Sequence, residues 1–174
     1  MRLYLRDGKV NSVSVDMGRA SLEASSVPTT IDAEKIINHP LELSGNTCNI
    51  TCLSVGNPHC VVFCDVLDSL ILSDIGPSFE CADVFPERIN TEFVRVIDSA
   101  TVRVRVWERG NGETLACGTG ACAAVVASVE NGLCEKGKDI TVKLPGGDLI
   151  VNYTDERIIL TGNAVLVFEG EFEY

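Results

Sequence analysis

Alternation between apolar and polar positions dominates the chain. Across residues 100–107, Val102, Val104 and Val106 interleave with Thr101, Arg103 and Arg105. That is the two-residue period of a strand with one buried face. The same period runs through 10–17, where Val13, Val15 and Met17 share a side, and Asp7-Gly8 before it predicts a hairpin back to 3–6. Further strands are predicted over 48–54, 59–66, 92–97, 139–144, 148–153, 157–161 and 164–168, with turns at Gly56-Asn57-Pro58, Pro145-Gly146-Gly147 and Thr154-Asp155-Glu156. Residues 18–46, with Pro28 and Pro40, read as polar and irregular. Residues 68–79 read as a short helix or turn stopped near Gly76-Pro77, and 85–90 as a loop.

One segment breaks the alternation. Residues 118–131 are apolar nearly all round (Ala121, Cys122, Ala123, Ala124, Val125, Val126, Ala127 and Val129), and Asn131-Gly132 supplies a C-terminal cap. A helix without a polar face belongs inside a core. The pattern therefore predicts an α+β fold: mostly strand, around one central buried helix.

Composition narrows the function classes. A length of 174 residues suits one domain or one and a half, and 45% apolar residues suffice for a core. The net charge of -11 argues against nucleic acid and anionic membrane surfaces as partners. The charged N-terminus lacks the apolar stretch of a signal peptide, and no apolar run reaches membrane-spanning length. The chain thus reads as soluble and cytoplasmic, with its eight cysteines as free thiols. Their spacings, such as Cys48-x3-Cys52 and Cys60-x3-Cys64, contain no close pair of the kind zinc sites use, so no metal is expected.

The chemistry concentrates in Glu108-Arg-Gly-Asn-Gly-Glu-Thr-Leu-Ala-Cys-Gly-Thr-Gly-Ala-Cys122. It leaves a strand, crosses a Gly-rich turn and sets Cys117 before the buried helix. Free backbone N–H groups and the helix dipole favour negative charge there, which is expected to lower the thiol's pKa. The same groups can hold a carboxylate. A base and an anion cradle side by side suit removal of a proton next to a carboxylate. A core cysteine that happens to precede a helix is the plainer alternative; Cys122, inside the helix, reads as core.

Glu108 and Arg109 end the strand before that turn. They read as a surface ion pair, or as clamps in which Arg109 grips a carboxylate and Glu108 an ammonium. Glu113 reads as serving the turn or the helix start. Asn57 and His59 flank Pro58 in a turn between two apolar strands. Asn57 is a common turn former, and His59 is either a satisfied structural group or a tuner of a thiolate. Asn90 is either a loop former or an uncharged clamp.

Together, Val15-Asp-Met-Gly18, Gly56-Asn-Pro-His59, Asn90 after Phe85-Pro, the 108–122 segment and Val167-Phe-Glu-Gly-Glu171 resemble the diaminopimelate epimerase family, in order and over essentially the whole chain. The resemblance implies two pseudo-symmetric halves, each a β-barrel-like sheet wrapped around a central helix, with the active site between them. It implies interconversion of L,L- and meso-diaminopimelate, in lysine and cell-wall precursor synthesis, without pyridoxal phosphate or any other cofactor. In such a mechanism two cysteines face opposite sides of the α-carbon, one removing and one returning a proton. Cys117 matches one of them. Gly118 and Thr119 match the backbone carboxylate cradle; Asn57, Asn90, Glu108 and Arg109 match the clamps for the distal end. His59 and Glu108 match positions that tune the cysteines.

The resemblance also implies a first half with its own Gly-Asn-Gly-type motif and the second cysteine, and this sequence lacks that half's motif and cysteine. Residues 1–17 read as the end of that N-terminal half, 18–162 as the C-terminal epimerase domain, and 163–174 as a terminal strand pairing with the missing half. Alone, the chain is expected to hold half an active site and to leave an exposed edge that promotes self-association, in its simplest form a homodimer. Three other readings stay open: a related cofactor-independent racemase or isomerase, a non-catalytic binding module, and a metal-binding protein.

Overall fold

A computed structural model describes residues 1–43 and 45–173. Ser44 and Tyr174, which fall within the expectations for 18–46 and 163–174, lie outside the described residues. In chain order the elements are β1 (Arg2–Arg6), β2 (Lys9–Asp16), β3 (His39–Leu43), β4 (Asn46–Ser54), β5 (Pro58–Phe63), α1 (Leu72–Glu80), β6 (Asn90–Asp98), β7 (Thr101–Glu108), β8 (Gly112–Thr114), α2 (Gly118–Glu130), β9 (Asp139–Leu144), β10 (Gly147–Tyr153) and β11 (Ile158–Asn163). The strands form one open mixed sheet, ordered β1-β2-β11-β10-β9-β7-β6-β5-β4-β3, with β8 folded back onto β7. Among the described residues, only β5 with β6 and β7 with β9 run parallel.

The alternating pattern sorts side chains to two cores, one on each face of this sheet. On the inner face, Leu53, Val61, Val94, Val102, Val104 and Val106 pack around α2 together with Ile140, Val142, Val151 and Ile158. The sheet curls around α2, which touches strands from β4 to β11. Residues 120–128 of the helix are all buried, which is why it carries no polar face. Its one buried hydroxyl, on Ser128, donates to the Ala124 carbonyl at 2.7 Å. On the outer face, Ile50, Cys52, Cys60, Val62 and Phe93 pack beneath α1, whose Phe79 meets Phe93 edge-to-face with ring centroids 5.3 Å apart. Cys52, Cys60, Cys122 and Cys134 are buried, and all eight cysteines are free thiols.

Four local expectations give way to longer-range packing. The 18–46 stretch contains a short 3-10 turn (Ala24–Ser26) and the strand β3. Pro40 is tolerated there because β3 is the last strand of the sheet, where a missing N–H breaks no ladder. Asn90, expected in a loop, opens β6, because its strand pairs with β5 and sets it opposite His59.

The helix expected to stop near Gly76-Pro77 instead runs through Pro77 to Glu80. Burial of Leu72 and Phe79 and the seating of Gly76 on Trp107 outweigh the one hydrogen bond that Pro77 cannot make. Finally, residues 164–173 form no strand, and among the described residues no strand of the sheet pairs with them. Val165 and Phe168 are each 81% exposed.

The seating of Gly76 is close enough to test. A Cβ there would run into Trp107 Cδ2, part of a ring that is itself held by a 2.7 Å hydrogen bond from Nε1 to Glu80 Oε2. Gly76→Ala is expected to cost about 1–3 kcal/mol, the usual range for overpacking. Chemical denaturation followed by Trp107 fluorescence measures it, and an unchanged midpoint would contradict this packing.

Candidate active site

The site is assembled where three inner-face features meet: the start of α2, the turn before β5, and the first residues of β6. Cys117 is the N-terminal cap of α2, with extended backbone and its sulfur accepting from the Gly120 N–H at 3.3 Å. A thiol thus takes the position that a serine or aspartate usually fills. By helix geometry the amides of Gly118 and Thr119, in the first turn, have no acceptor inside the helix. They are half-buried beside the sulfur, as a carboxylate cradle requires.

Gly56, at φ +92°, turns the chain tightly before β5 and aims Asn57 at this helix start. Asn57 Nδ2 donates to Thr119 Oγ1 at 3.3 Å, and Thr119 Oγ1 lies 3.5 Å from Cys117 Sγ. On its other side Asn57 Oδ1 is 3.0 Å from His59 Nε2. His59 is fully buried, and its Nδ1 stands 2.7 Å from Oε1 of Glu92, also fully buried. Five residues from three elements therefore form one unbroken polar chain: Cys117, Thr119, Asn57, His59, Glu92.

Glu92 was not singled out from the sequence. It occupies an inward position of β6, aligned with Val61 and Val106, where alternation calls for an apolar residue. An acid in an apolar register position was the available signal. Its space is kept by Gly120, where a Cβ would come within 2.8 Å of Glu92 Oε1. Burial raises the Glu92 pKa, opposed by His59 and reinforced by the nearby Glu108 charge.

The remaining candidates cluster around the β7–β8 turn. Asn90 is buried, with Nδ2 donating to the Pro58 carbonyl at 2.9 Å and Oδ1 accepting from the Arg109 N–H at 2.9 Å. It joins the Asn57 turn to the Arg109 turn. Glu80 of α1 does similar work, accepting from the Gly110 N–H at 2.9 Å. Burial alone would raise the Glu80 carboxyl; hydrogen bonds from Trp107 and Gly110 and the Arg88 guanidinium bring it below its ordinary value.

Arg109 is exposed and donates through Nη1 to the Glu87 carbonyl. Glu108 is half-buried and accepts from the Thr114 hydroxyl. Glu113, expected to serve the turn or the helix start, pairs instead with Arg105 at 2.8 Å across β7 and β8, because hairpin register sets them side by side on the outer face.

One expectation is corrected. The helix start was expected to lower the Cys117 pKa, but the pKa is raised. Burial of the sulfur is the largest cause, and the charges of Glu92 and Glu108 add to it. Hydrogen bonds from Thr119 and Gly120 pull the other way and do not overcome it. The sign follows: the neutral thiol is favoured, so thiolate accumulates only above the ordinary cysteine value of 9.0. Alkylation of Cys117 by iodoacetamide, followed by peptide mass, is expected to run at least ~3-fold slower at neutral pH than that of a free cysteine peptide. A midpoint below the ordinary value would restore the helix-dipole expectation.

A sequence model of the family "Diaminopimelate epimerase" matches residues 51–167. Diaminopimelate epimerase of Acetivibrio thermocellus is 49% identical over 99% of this chain, which covers 62% of that protein. The Synechocystis enzyme is 49% identical over 97% of this chain and 60% of its own length, and that of Nostoc punctiforme 48% over 91% and 58%. The chain therefore spans less than two thirds of the relatives it matches. Among solved structures, a hydroxyproline epimerase from Agrobacterium vitis superposes with a TM-score of 0.64 over 92% of this chain and 52% of its own, at 15% identity. A probable proline racemase from Agrobacterium radiobacter gives 0.61 over 92% and 53%, at 14%. At such low identity these two establish a shared fold.

Proposed function

The chain belongs to the diaminopimelate epimerase family, and from that premise we propose that it carries the Cys117 half of a two-cysteine site that interconverts L,L- and meso-diaminopimelate. One observation carries the reading. The Cys117 sulfur sits at the open N-terminus of a buried helix, beside amides that suit a carboxylate. A substrate carboxylate on the Gly118 and Thr119 amides brings its own α-carbon to Sγ. Two thiols on opposite faces then suffice. A thiolate takes the α-proton, the carbanion is stabilised by the amides and the helix dipole, and the opposite thiol gives its proton to the other face. One thiol and one thiolate enter and leave, with their roles exchanged.

Burial makes Cys117 rest as the thiol, so in this reading it is the proton donor of the first turnover and the base of the reverse one. Asn57, Asn90, Glu108 and Arg109 hold the distal amino-acid end; Asn90 does so with the hydrogen and lone pair left over from Pro58 and Arg109. His59 and Glu108 tune the sulfur. No cofactor or metal enters the reaction, and the activity belongs to the cytoplasmic supply of lysine and cell-wall precursors.

The second cysteine belongs to a complementary segment. The apolar surface of β1, with Leu5 67% exposed, and the exposed 164–173 tail support such a partner. In this reading residues 1–17 and 163–174 pack with that segment and 18–162 form the catalytic unit, while self-association as a homodimer buries the same surface.

Incubation with L,L-diaminopimelate in D2O, followed by NMR, tests the assignment. The chain alone is expected to form no meso isomer. Supplied with a segment bearing the second cysteine, it is expected to deuterate the α-carbon with inversion. Cys117→Ala should slow that reaction by about 10³-fold, within the usual range for an acid–base group. Inversion by the chain alone would defeat the half-site reading, and full activity of the variant would defeat the role of Cys117.

A further inference from the structure

The buried chain from Glu92 to Cys117 has a direction, and the direction is fixed by protons. In the observed arrangement Asn57 presents Oδ1 to His59 and Nδ2 to Thr119. A carbonyl oxygen only accepts, so His59 Nε2 carries a hydrogen. The 2.7 Å contact of His59 Nδ1 with Glu92 Oε1 then needs a proton of its own, held by one atom or the other. The histidine and the carboxyl together are therefore electrically neutral, as full burial demands. Glu92 Oε2 agrees with this, having no geometrically formed hydrogen bond to any described residue, and burial raises the carboxyl's pKa. Because Thr119 Oγ1 accepts from Asn57, its own hydrogen is free to point at Cys117 Sγ.

Loss of the shared proton to bulk base reverses every link. The remaining ring hydrogen moves to Nδ1 to face the carboxylate, and Nε2 becomes an acceptor. The Asn57 amide must turn its nitrogen towards Nε2, which leaves Oδ1 facing Thr119. The hydroxyl then donates to Asn57 and can only accept from the sulfur, so the thiolate loses a donor.

We propose that Glu92 is a positioning residue: by sharing one proton with His59, its buried carboxyl sets which way the His59–Asn57–Thr119 chain points, and so whether Thr119 donates to the Cys117 sulfur or accepts from it. The titratable groups near Glu92 are His59 from β5, Glu108 from β7 and Cys117 at the start of α2, with Cys60 of β5 close by on the opposite face of the sheet. Among them the hydrogen-bonded path to the sulfur runs only through His59. The proposal deepens the reading of Cys117 as an acid–base group, yet it concerns the thiol itself and can be tested without substrate.

Glu92→Gln keeps the shape and offers a fixed amide hydrogen to His59 Nδ1, locking the chain towards the sulfur. In the full chain, the pH profile of Cys117 alkylation is expected to move to lower pH, with about tenfold more thiolate at a fixed pH near 8. With Asn57→Ala cutting the chain, the same replacement should change thiolate by less than about threefold. No shift in Glu92→Gln would overturn the proposal. A full tenfold effect persisting beside Asn57→Ala would also overturn it, because Glu92 would then act as a charge through space.

Ring nitrogen NMR of the unaltered chain decides the matter if the variants do not fold. The chain has two histidines, and His39→Gln assigns the signals. At about pH 6, below the ordinary range for cysteine ionisation, His59 Nε2 is expected to be protonated. An unprotonated Nε2 there would refute the relay.

Discussion

Burial of α2 is the constraint on which the rest depends. A helix that is apolar on every side can exist in water only if a sheet curls round it, and seven strands do so here. Its ends cannot be buried in the same way, because the first turn holds amides that need partners. The fold leaves that end half-open and caps it with a sulfur. The reactive group is thus placed by the requirement that makes the core: the helix must be inside, and its N-terminus must be satisfied.

The same burial explains why the thiol's pKa moves up rather than down. A helix terminus favours an anion, but the effect is modest and local. Removing the sulfur from water acts against any charge, and two acids stand near enough to add to the penalty. The donors at Thr119 and Gly120 oppose that penalty, and in the proposed reaction they make ionisation of the sulfur more accessible. A thiol that rests neutral suits the proton donor's part in the proposed two-cysteine exchange.

Much of this was legible in the sequence, and the boundary is physical. Cys117 and α2 could be placed because their signals are local: an apolar run, a Gly-rich entry and an Asn-Gly exit. Val102, Val104 and Val106 were assigned to one face because strand alternation is also local. Glu92 could not be found in this way. Its meaning depends on the parallel pairing of β5 with β6, which brings residues 33 positions apart to a 2.7 Å contact. The run of α1 through Pro77 depends likewise on Trp107, a residue on a strand that follows later in the chain. The 164–168 segment shows the converse: its unbroken apolar run from Ala164 to Phe168 satisfies the local rule for a strand, yet it pairs with no strand among the described residues.

The two halves of the site also differ in how firmly they are built. The arm bearing Arg109 is fastened by groups outside the polar chain: Asn90 holds its backbone, Glu80 holds Gly110, and Trp107 of β7 holds Glu80 at the end of α1. These contacts run to the outer core, so the backbone that carries Arg109 is tied to packing on the far face of the sheet. The sulfur is tied instead to the inner core through α2 and to a buried acid through hydrogen bonds that can reverse. A substrate with two charged ends would bridge these supports, one rigid and one able to reorganise its protons. That division suits the proposed reaction, in which the distal end is held still while protons move at the α-carbon.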